Sequence, residues 1–276
     1  MLYKALVNKR DYMNAIVTGA RRGIGRAVVK KFIENGINVW ATTSRMDDSF
    51  IEDMKRLESE VSDSQSLGSE SVASSKLGKI IPIELELRSE DSIKAAVKAI
   101  TSERDENGNK LSIDILVNNA GIPSGGLMQM TSMDTLRDVM EVNFIGQMSL
   151  IQKISKVMMR QKKGAVVNIG SVGGIEAREG YLAYGSSKAA FMWATRCISK
   201  ELAPYNIRVN AVAPGLVDTE MGDYKADAEQ QKILDAISMK RKGTPEEIAE
   251  VVYFLSTDAS SFITGSIINA DGGRLI

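Results

Sequence analysis

Residues 14–35, NAIVTGARRGIGRAVVKKFIEN, join a short apolar run to a glycine-rich turn and a helix-forming segment. The first residues predict a buried strand, and the last have the apolar spacing of an amphipathic helix. Between them Gly19, Gly23 and Gly25 have the spacing G-x-x-x-G-x-G. Glycines allow a tight turn and close backbone approach, and the N–H groups that open a helix attract phosphate. The stretch therefore predicts a dinucleotide-binding turn, although a glycine-rich turn alone could also be an ordinary loop.

Strand-like and helix-like segments alternate along the rest of the chain. Short apolar runs predict strands at 14–18, 37–43, 79–87, 113–119, 164–171, 207–213 and 266–273. Helices are predicted at 23–35, from Asp47 onward, and at 89–103, 133–161 and 182–203. Runs without polar alternation are expected when helices cover both faces of a parallel sheet. The pattern predicts an α/β fold, a Rossmann-type doubly wound parallel sheet of about seven strands, in a single NAD(P)-binding domain over residues 1–276.

Two segments interrupt this alternation. Residues 59–75 contain eight serines in seventeen positions, which predicts a mobile surface insertion near 59–76. A phosphorylated or partner-binding loop is the alternative interpretation of this segment. Residues 219–242 separate the sixth predicted strand from the last helix, and we expect them to form a mobile substrate lid.

The composition excludes several classes of function. The chain has 276 residues with 35 basic and 35 acidic side chains, so no overall field favours nucleic acid or an anionic membrane. It contains no histidine, which removes Ser-His-Asp hydrolysis, Cys-His catalysis and histidine-bound zinc, and we expect no metal site. No apolar run approaches membrane-spanning length, and no signal peptide is evident, so we expect a cytoplasmic protein.

The single cysteine, Cys197, has no partner for an intramolecular disulfide. It lies in an apolar helical pattern with Trp193, Ala194 and Ile198, and we expect it to be a small buried hydrophobe. Without a histidine to activate it, the thiol is a poor candidate for a nucleophile.

The end of the second predicted strand bears on the choice between NAD and NADP. An NAD site usually has an acidic residue there, whereas this chain has Thr43, Ser44 and Arg45. Arg22, just before Gly23, adds a second guanidinium, and we expect no carboxylate to meet and repel a 2′-phosphate there. These residues favour NADP(H) over NAD(H), unless the arginines are merely solvated, an interpretation that applies best to Arg21.

Taken together, the motifs resemble those of the short-chain dehydrogenase/reductase family over nearly the whole chain. The matching motifs are TGARRGIG at 18–25, NNAG at 118–121, Asn143, Ser171, the Y-x-x-x-K pair Tyr184 and Lys188, PG at 214–215 and DGG at 271–273. Each motif is modest alone, but their order and spacing make the set highly specific.

The chemistry of carbonyl reduction fits four of these residues. Tyr184 can donate a proton to the developing alkoxide, and Ser171 can orient the carbonyl oxygen. Lys188 lies four positions after Tyr184 on the same helical face. An ammonium about 4 Å away at an effective dielectric of about 20 supplies about 4 kcal/mol. That is enough to lower a phenol pKa by about 3 units. The resemblance also implies that Lys188 binds the nicotinamide ribose and that Asn143 holds a proton-relaying water.

The cofactor contacts follow partly from the turn and partly from the resemblance, which implies an adenine contact at Glu86 and Leu87 and a carboxamide contact at Val217 and Thr219. Glutamate at position 86 departs from the aspartate usual in the family. The predicted cofactor-binding residues are Gly19, Arg21, Arg22, Gly23, Ile24, Thr43, Ser44, Arg45, Glu86, Leu87, Asn118, Ala120, Gly121, Tyr184, Lys188, Pro214, Gly215, Val217 and Thr219.

Within the family, the motif wording is closest to the 3-oxoacyl-[acyl-carrier-protein] reductases of fatty acid biosynthesis. That resemblance implies an acyl-carrier-linked carbonyl substrate and a homotetramer packed through the two long helices. Lys156 and Lys200 fall where such enzymes dock the acidic carrier, although both could simply be solvated lysines. Oxidoreductases of sugars, polyols or other secondary alcohols remain open, as does a non-catalytic dinucleotide-sensing protein.

Overall fold

Seven parallel strands form one sheet in the computed structural model, which describes residues 13–66, 77–220 and 227–274. The strands are β1 (Asn14–Val17), β2 (Asn38–Thr43), β3 (Ile80–Glu84), β4 (Ile115–Asn118), β5 (Gly164–Ile169), β6 (Ile207–Pro214) and β7 (Ile267–Ala270). Their order across the sheet is β3-β2-β1-β4-β5-β6-β7, and every pairing is parallel. The predicted doubly wound α/β fold is confirmed.

Helices cover both faces of this sheet. They are α1 (Gly23–Glu34), α2 (Asp48–Ser66), α3 (Glu90–Ser102), α4 (Met133–Met140), α5 (Gly146–Gln161), α6 (Leu182–Leu202), α7 (Asp227–Ala236) and α8 (Pro245–Ser256). Residues of α1, α2 and α8 pack in one core cluster, and residues of α3, α5 and α6 pack in the other. All four residues of β1 are buried, which is why the strand is a continuous apolar run.

A π-helical turn at Glu141–Ile145 joins α4 to α5, so the predicted helix over 133–161 is one run with an altered middle. The turn is followed at once by Gly146, which packs against the carbonyl oxygen of Leu87. A Cβ atom at position 146 would lie 2.3 Å from that oxygen. The glycine thus lets the start of α5 approach the segment after β3, where the sheet borders the cleft.

Part of the predicted serine-rich insertion is helical. Helix α2 continues to Ser66, and Val61 is 1% exposed in the core beside Leu57. The expectation of a mobile insertion is therefore wrong for residues 59–66, because apolar side chains at helical spacing hold them against the sheet. The remainder of the segment, 67–76, lies outside the described residues.

The predicted lid contains α7, and its residues 221–226 lie outside the described part of the chain. On either side of the end of α7, Ile233 is 8% exposed and Ile237 is 1% exposed. A parallel bridge between Val217 and Gly243 joins the two ends of the segment.

The expected burial of Cys197 is wrong. Cys197 is exposed on α6, and Trp193 one turn earlier is 67% exposed. Their stripe points away from the sheet, while Phe191 and Met192 occupy the buried side of the same helix.

Within the described ranges, no helix combines the length and the apolar character needed to cross a bilayer.

Candidate functional site

A cavity of about 750 Å³ opens at the carboxyl ends of the strands and is lined from the glycine-rich turn to α6. It lies where β1 and β4 are neighbours and the chain order of the sheet reverses. Parallel α/β sheets bind ligands at this switch point. The connections that leave the two adjacent strands run to opposite faces of the sheet, and a crevice opens between them.

The glycine-rich turn approaches the neighbouring backbone too closely for side chains. Gly19 has a φ of +67°, and a Cβ atom there would lie 2.8 Å from the Cα of Ala120. A Cβ atom at position 25 would lie 2.2 Å from the Gly19 carbonyl oxygen. Helix α1 begins at Gly23, and the preceding Arg22 makes no side-chain cap. The first N–H groups of α1 therefore remain available to a phosphate.

Two of the three predicted arginines border the cavity, and each is paired with a carboxylate. Arg21 forms an ion pair with Asp47 at 2.9 Å, and Arg22 pairs with Glu220. The expectation that no carboxylate would meet a 2′-phosphate is therefore wrong, because residues from beyond the strand end face these cations.

Arg45 does not line the cavity. Its backbone carbonyl accepts hydrogen bonds from Arg21 and Thr43, while its side chain is exposed. Within the described ranges, no carboxylate pairs with the Arg45 guanidinium, which follows Ser44 of the cavity wall in sequence. Thr43 and Ser44, by contrast, border the cavity directly.

Helix α6 brings Tyr184 and Lys188 to the cavity, and the end of β5 brings Ser171. The Ser171 hydroxyl lies close enough to the Tyr184 hydroxyl to influence the pKa of that phenol. Lys188 is 4% exposed, and its Nζ donates to the Ile169 carbonyl oxygen at 2.7 Å. The same Nζ lies 5.9 Å from the centroid of the Tyr184 ring. The phenol, the hydroxyl and the ammonium thus share one wall, as the sequence predicts.

Burial controls the protonation of this pair. Loss of solvent raises the pKa of Tyr184 above its usual value, and the neighbouring Ser171 hydroxyl opposes that rise. Loss of solvent also lowers the pKa of Lys188 to about 8. The expected lowering of the Tyr184 pKa by Lys188 is wrong, because burial raises that pKa and the Lys188 ammonium bonds to the Ile169 carbonyl oxygen. The phenol is therefore protonated at neutral pH and can act as a proton donor.

Asn143 and Asn118 lie behind the cavity wall and do not line it. Asn143, in the π-helical turn, is fully buried and bonds to both backbone groups of Ile122, at 2.8 and 3.0 Å. Its Nδ2 also donates to the Ser187 hydroxyl at 3.1 Å. Asn118 on β4 donates from Nδ2 to Oδ1 of Asn168 on the neighbouring strand β5 at 2.8 Å. Both asparagines therefore fix the strand ends and helices that carry the site.

The Glu86 carboxylate accepts hydrogen bonds from the backbone and side chain of Arg88. Glu86 and the 3%-exposed Leu87 both border the cavity. The predicted residues that line it are Gly19, Arg21, Arg22, Gly23, Ile24, Thr43, Ser44, Glu86, Leu87, Ala120, Gly121, Ser171, Tyr184, Lys188, Pro214, Gly215, Val217 and Thr219.

The polar residues of the cavity wall that the sequence reasoning missed include Tyr181, Arg178 and Arg274. Arg178 stands between Ser171 and Tyr184, so its loop must run close to both, and that position is a signal that could have identified it. Arg274 follows the closing DGG motif, and only the tertiary structure brings it to Glu176, an ion-pair partner at 3.1 Å.

Comparison with known proteins agrees with this geometry. Residues 19–274 match a family model described as enoyl-(acyl carrier protein) reductase. The chain is 34% identical over 261 residues to a 3-oxoacyl-[acyl-carrier-protein] reductase of Thermotoga maritima, covering 95% of this chain and 97% of the relative. It is 36% identical over 259 residues to the protein of the same name from Aquifex aeolicus, covering 94% and 96%.

Solved structures show the same architecture. A 3-oxoacyl-[acyl-carrier protein] reductase from Brucella melitensis aligns with a TM-score of 0.80 and 30% identity, covering 96% of this chain and 91% of that one. A levodione reductase aligns with a TM-score of 0.82 and 26% identity, covering 95% and 97%. The chain belongs to the short-chain dehydrogenase/reductase family, whose members are NAD(P)-dependent oxidoreductases acting on CH–OH and carbonyl groups.

Proposed function

We propose that this protein reduces the 3-oxo group of an acyl chain carried on acyl carrier protein, using NADPH, as a step of fatty acid biosynthesis. The observation that carries the proposal is that Ser171, a protonated Tyr184 and the buried Lys188 lie together on the wall of the cavity. The names of the relatives from Thermotoga maritima and Aquifex aeolicus support the choice of substrate.

The residues of the cavity fit a dinucleotide, since the uncapped start of α1 at Gly23 and Ile24 borders it and offers N–H groups to a phosphate. When bound, the reduced nicotinamide supplies a hydride to the carbonyl carbon. Tyr184 donates its phenolic proton to the carbonyl oxygen as negative charge develops there. Ser171 donates a hydrogen bond to the same oxygen, and the Lys188 ammonium stabilises the tyrosinate left behind.

The cofactor preference in this proposal rests on the cations at the end of β2. Arg45 is unpaired within the described residues, and Thr43 and Ser44 offer hydroxyl groups to a phosphate. Arg21 and Arg22 would exchange their carboxylate partners for the 2′-phosphate, or share them with it. We propose that all of the predicted cofactor residues that border the cavity contact NADPH, and that Asn118 and Asn143 support them from behind.

We further propose a single NAD(P)-binding domain over residues 1–276 with its lid at 219–242, acting in the cytoplasm as a homotetramer. The exposed stripe of Trp193 and Cys197 on α6 supports assembly through the long helices, because a tryptophan that is 67% exposed gains much from burial.

The test is the oxidation of NADPH, followed by absorbance, with a panel of carbonyl and enoyl substrates. Acetoacetyl-acyl carrier protein should be reduced with a kcat/KM well above that of sugars, polyol-derived ketones or crotonyl-acyl carrier protein. Faster turnover of the crotonyl thioester would instead support the enoyl reduction named by the matching family model. Oxidation of NADPH by sugars alone would contradict the proposed substrate.

A further inference from the structure

A cluster of charged residues occupies the cavity wall beside the proton donor and takes no part in the mechanism above. It consists of Glu176, Arg178 and Arg274, and both arginines border the cavity. Arg178 donates from Nε and Nη2 to Oε2 of Glu176 at 3.2 and 2.7 Å. Arg274 donates from Nε to the same oxygen at 3.1 Å. We call these three residues the arginine cluster.

The arginine cluster has more positive charge and more donors than its carboxylate can satisfy. Two guanidiniums face one carboxylate, which leaves a net charge of +1. A guanidinium has five N–H donors, and Arg274 uses one of them although its side chain is 8% exposed. Across the described ranges of the chain, no second acceptor bonds to this guanidinium. The remaining N–H groups of Arg274, at the border of the cavity, are therefore available to an acceptor that arrives with a ligand.

The arginine cluster is close to the reacting centre. The guanidinium carbon of Arg178 lies 5.5 Å from the centroid of the Tyr181 ring. The Tyr181 ring in turn contacts the Tyr184 ring edge to face, with centroids 6.0 Å apart. One aromatic ring therefore separates the Arg178 guanidinium from the proton donor. An anion held here would lie in the same cavity as the carbonyl that Tyr184 protonates, because Arg178, Tyr181 and Tyr184 all line it.

We propose that the substrate carries an anionic group, a carboxylate or a phosphate, which Arg178 and Arg274 bind while the carbonyl meets Tyr184 and Ser171. This inference rests on the proposed function and narrows it, because the anion lies on the part of the substrate next to the carbonyl. For a carrier-linked substrate, that part is the acyl group, so acetoacetyl-acyl carrier protein, which lacks the anion, tests the chemical step alone. Glu176 is a positioning residue that orients both guanidiniums and competes with the anion for them.

The first test compares oxo-acids with their own methyl esters, which have the same carbonyl without the charge. Acetoacetate, 4-oxopentanoate and 5-oxohexanoate place the carboxylate at increasing distance, and acetonylphosphonate provides the phosphate-like arm. We expect at least one acid to be reduced with a kcat/KM tenfold or more above that of its ester, mainly through KM. The better of the carboxylate and phosphonate arms identifies the anion.

Variants of the arginine cluster separate anion binding from structural support. Arg274→Met and Arg178→Met keep most of the aliphatic packing, and they should remove the preference for acids while leaving turnover of the esters within about twofold. Arg274→Lys should restore part of the preference for acids. Glu176→Gln should increase the preference, because it removes the competing charge. Arg56→Met, on the exposed side of α2 and outside the cavity, is the matched control and should change neither.

A readout that does not depend on turnover keeps the two proposals apart. In the presence of NADP, the preferred anion should raise the Tm of the wild type and should not raise that of Arg274→Met. Equal kcat/KM for acids and esters, or a preference that survives in both arginine variants, would overturn the anion site and leave the reductase intact. If no carbonyl oxidises NADPH, the proposed function fails, and an unchanged Tm in the wild type would then reject the anion site as well.

Discussion

Lys188 is a charged residue held almost entirely away from water. Burial removes the hydration of its ammonium, which destabilises the fold, but it places the charge beside Tyr184, where the proposed reaction needs it. The pKa of Lys188 falls from 10.5 to about 8 on burial. The spacing of Tyr184 and Lys188 was sufficient to predict that they share a wall, because residues four apart lie on one helical face. The direction of the pKa shifts was not predictable, because it depends on burial and on the Ile169 carbonyl, which belongs to a distant strand.

The buried ammonium makes stability depend on pH in a defined direction. Since the folded pKa of Lys188 is below the unfolded value, the unfolded chain binds more protons between about pH 8 and 10.5, and stability rises with pH across that window. Relative to Lys188→Met, the free energy of unfolding of the wild type should increase by about 2 kcal/mol between pH 7.5 and 9.5.

Urea unfolding of both proteins at the two pH values measures this difference. A constant gap between wild type and Lys188→Met, or one that changes in the opposite direction, would show that folding does not lower the pKa of Lys188.

At the scale of elements, the end of β2 and the junction of α4 with α5 shape the two halves of the cleft. The absence of a carboxylate after β2 was predictable from Thr43, Ser44 and Arg45 in sequence. The pairing of Arg21 with Asp47 was not, because it depends on how α2 begins. The π-helical turn was also unpredicted, since the apolar pattern of residues 133–161 is continuous through it.

Replacing Arg45 by aspartate at the end of β2 should change cofactor choice. The variant removes an unpaired cation and adds a repelling carboxylate, so the KM for NADPH should rise about tenfold or more while that for NADH changes by less than about threefold. Steady-state kinetics with both cofactors measure the ratio. Arg160 is exposed at the end of α5 and lies outside the cavity. Arg160→Asp makes the same change of charge and should leave the ratio of the two KM values unaltered. Equal effects of Arg45→Asp on the two cofactors would contradict the 2′-phosphate site.

Replacing Gly146 by alanine tests the packing of the helical junction. The added methyl would lie 2.3 Å from the Leu87 carbonyl oxygen, which belongs to backbone and cannot rotate away. We expect the free energy of unfolding to fall by about 1 to 3 kcal/mol, the usual cost of overpacking. Gly126→Ala is the control, since its nearest neighbour, the Thr131 hydroxyl, would be 3.4 Å away. Denaturant midpoints that fall equally for both variants would show that the junction is not specially constrained.

At the scale of the whole molecule, the alternation of apolar strands with helices was enough to predict the parallel sheet, because each strand had to be covered on both faces. Periodicity could not predict what covers an apolar stripe. The stripe of Trp193 and Cys197 was expected in the core, yet α6 turns it outward. The serine content of residues 59–75 likewise predicted a mobile insertion. That prediction did not take account of Val61, whose burial keeps residues 59–66 helical.

Cofactor binding across the cleft should stabilise the entire fold, because the cavity is lined by residues from nearly every strand end. Suppose that NADPH binds tenfold more tightly than NADH. At equal concentrations well above both Kd values, NADPH should then raise the free energy of unfolding by about 1.4 kcal/mol more than NADH does. For a chain of this size, that corresponds to a Tm about 3 to 5 °C higher with NADPH. Differential scanning calorimetry measures it, and a higher Tm with NADH would reverse the proposed preference.

The central claim is that Tyr184 is the proton donor in carbonyl reduction, and the most direct measurement is the kcat of Tyr184→Phe for acetoacetyl-acyl carrier protein with NADPH. The variant keeps the ring against Tyr181 and removes the hydroxyl beside Ser171. We predict a loss of about 10²- to 10⁴-fold in kcat, the usual worth of a positioned general acid, with the Kd for NADPH unchanged. A kcat within a few-fold of the wild type would contradict the account.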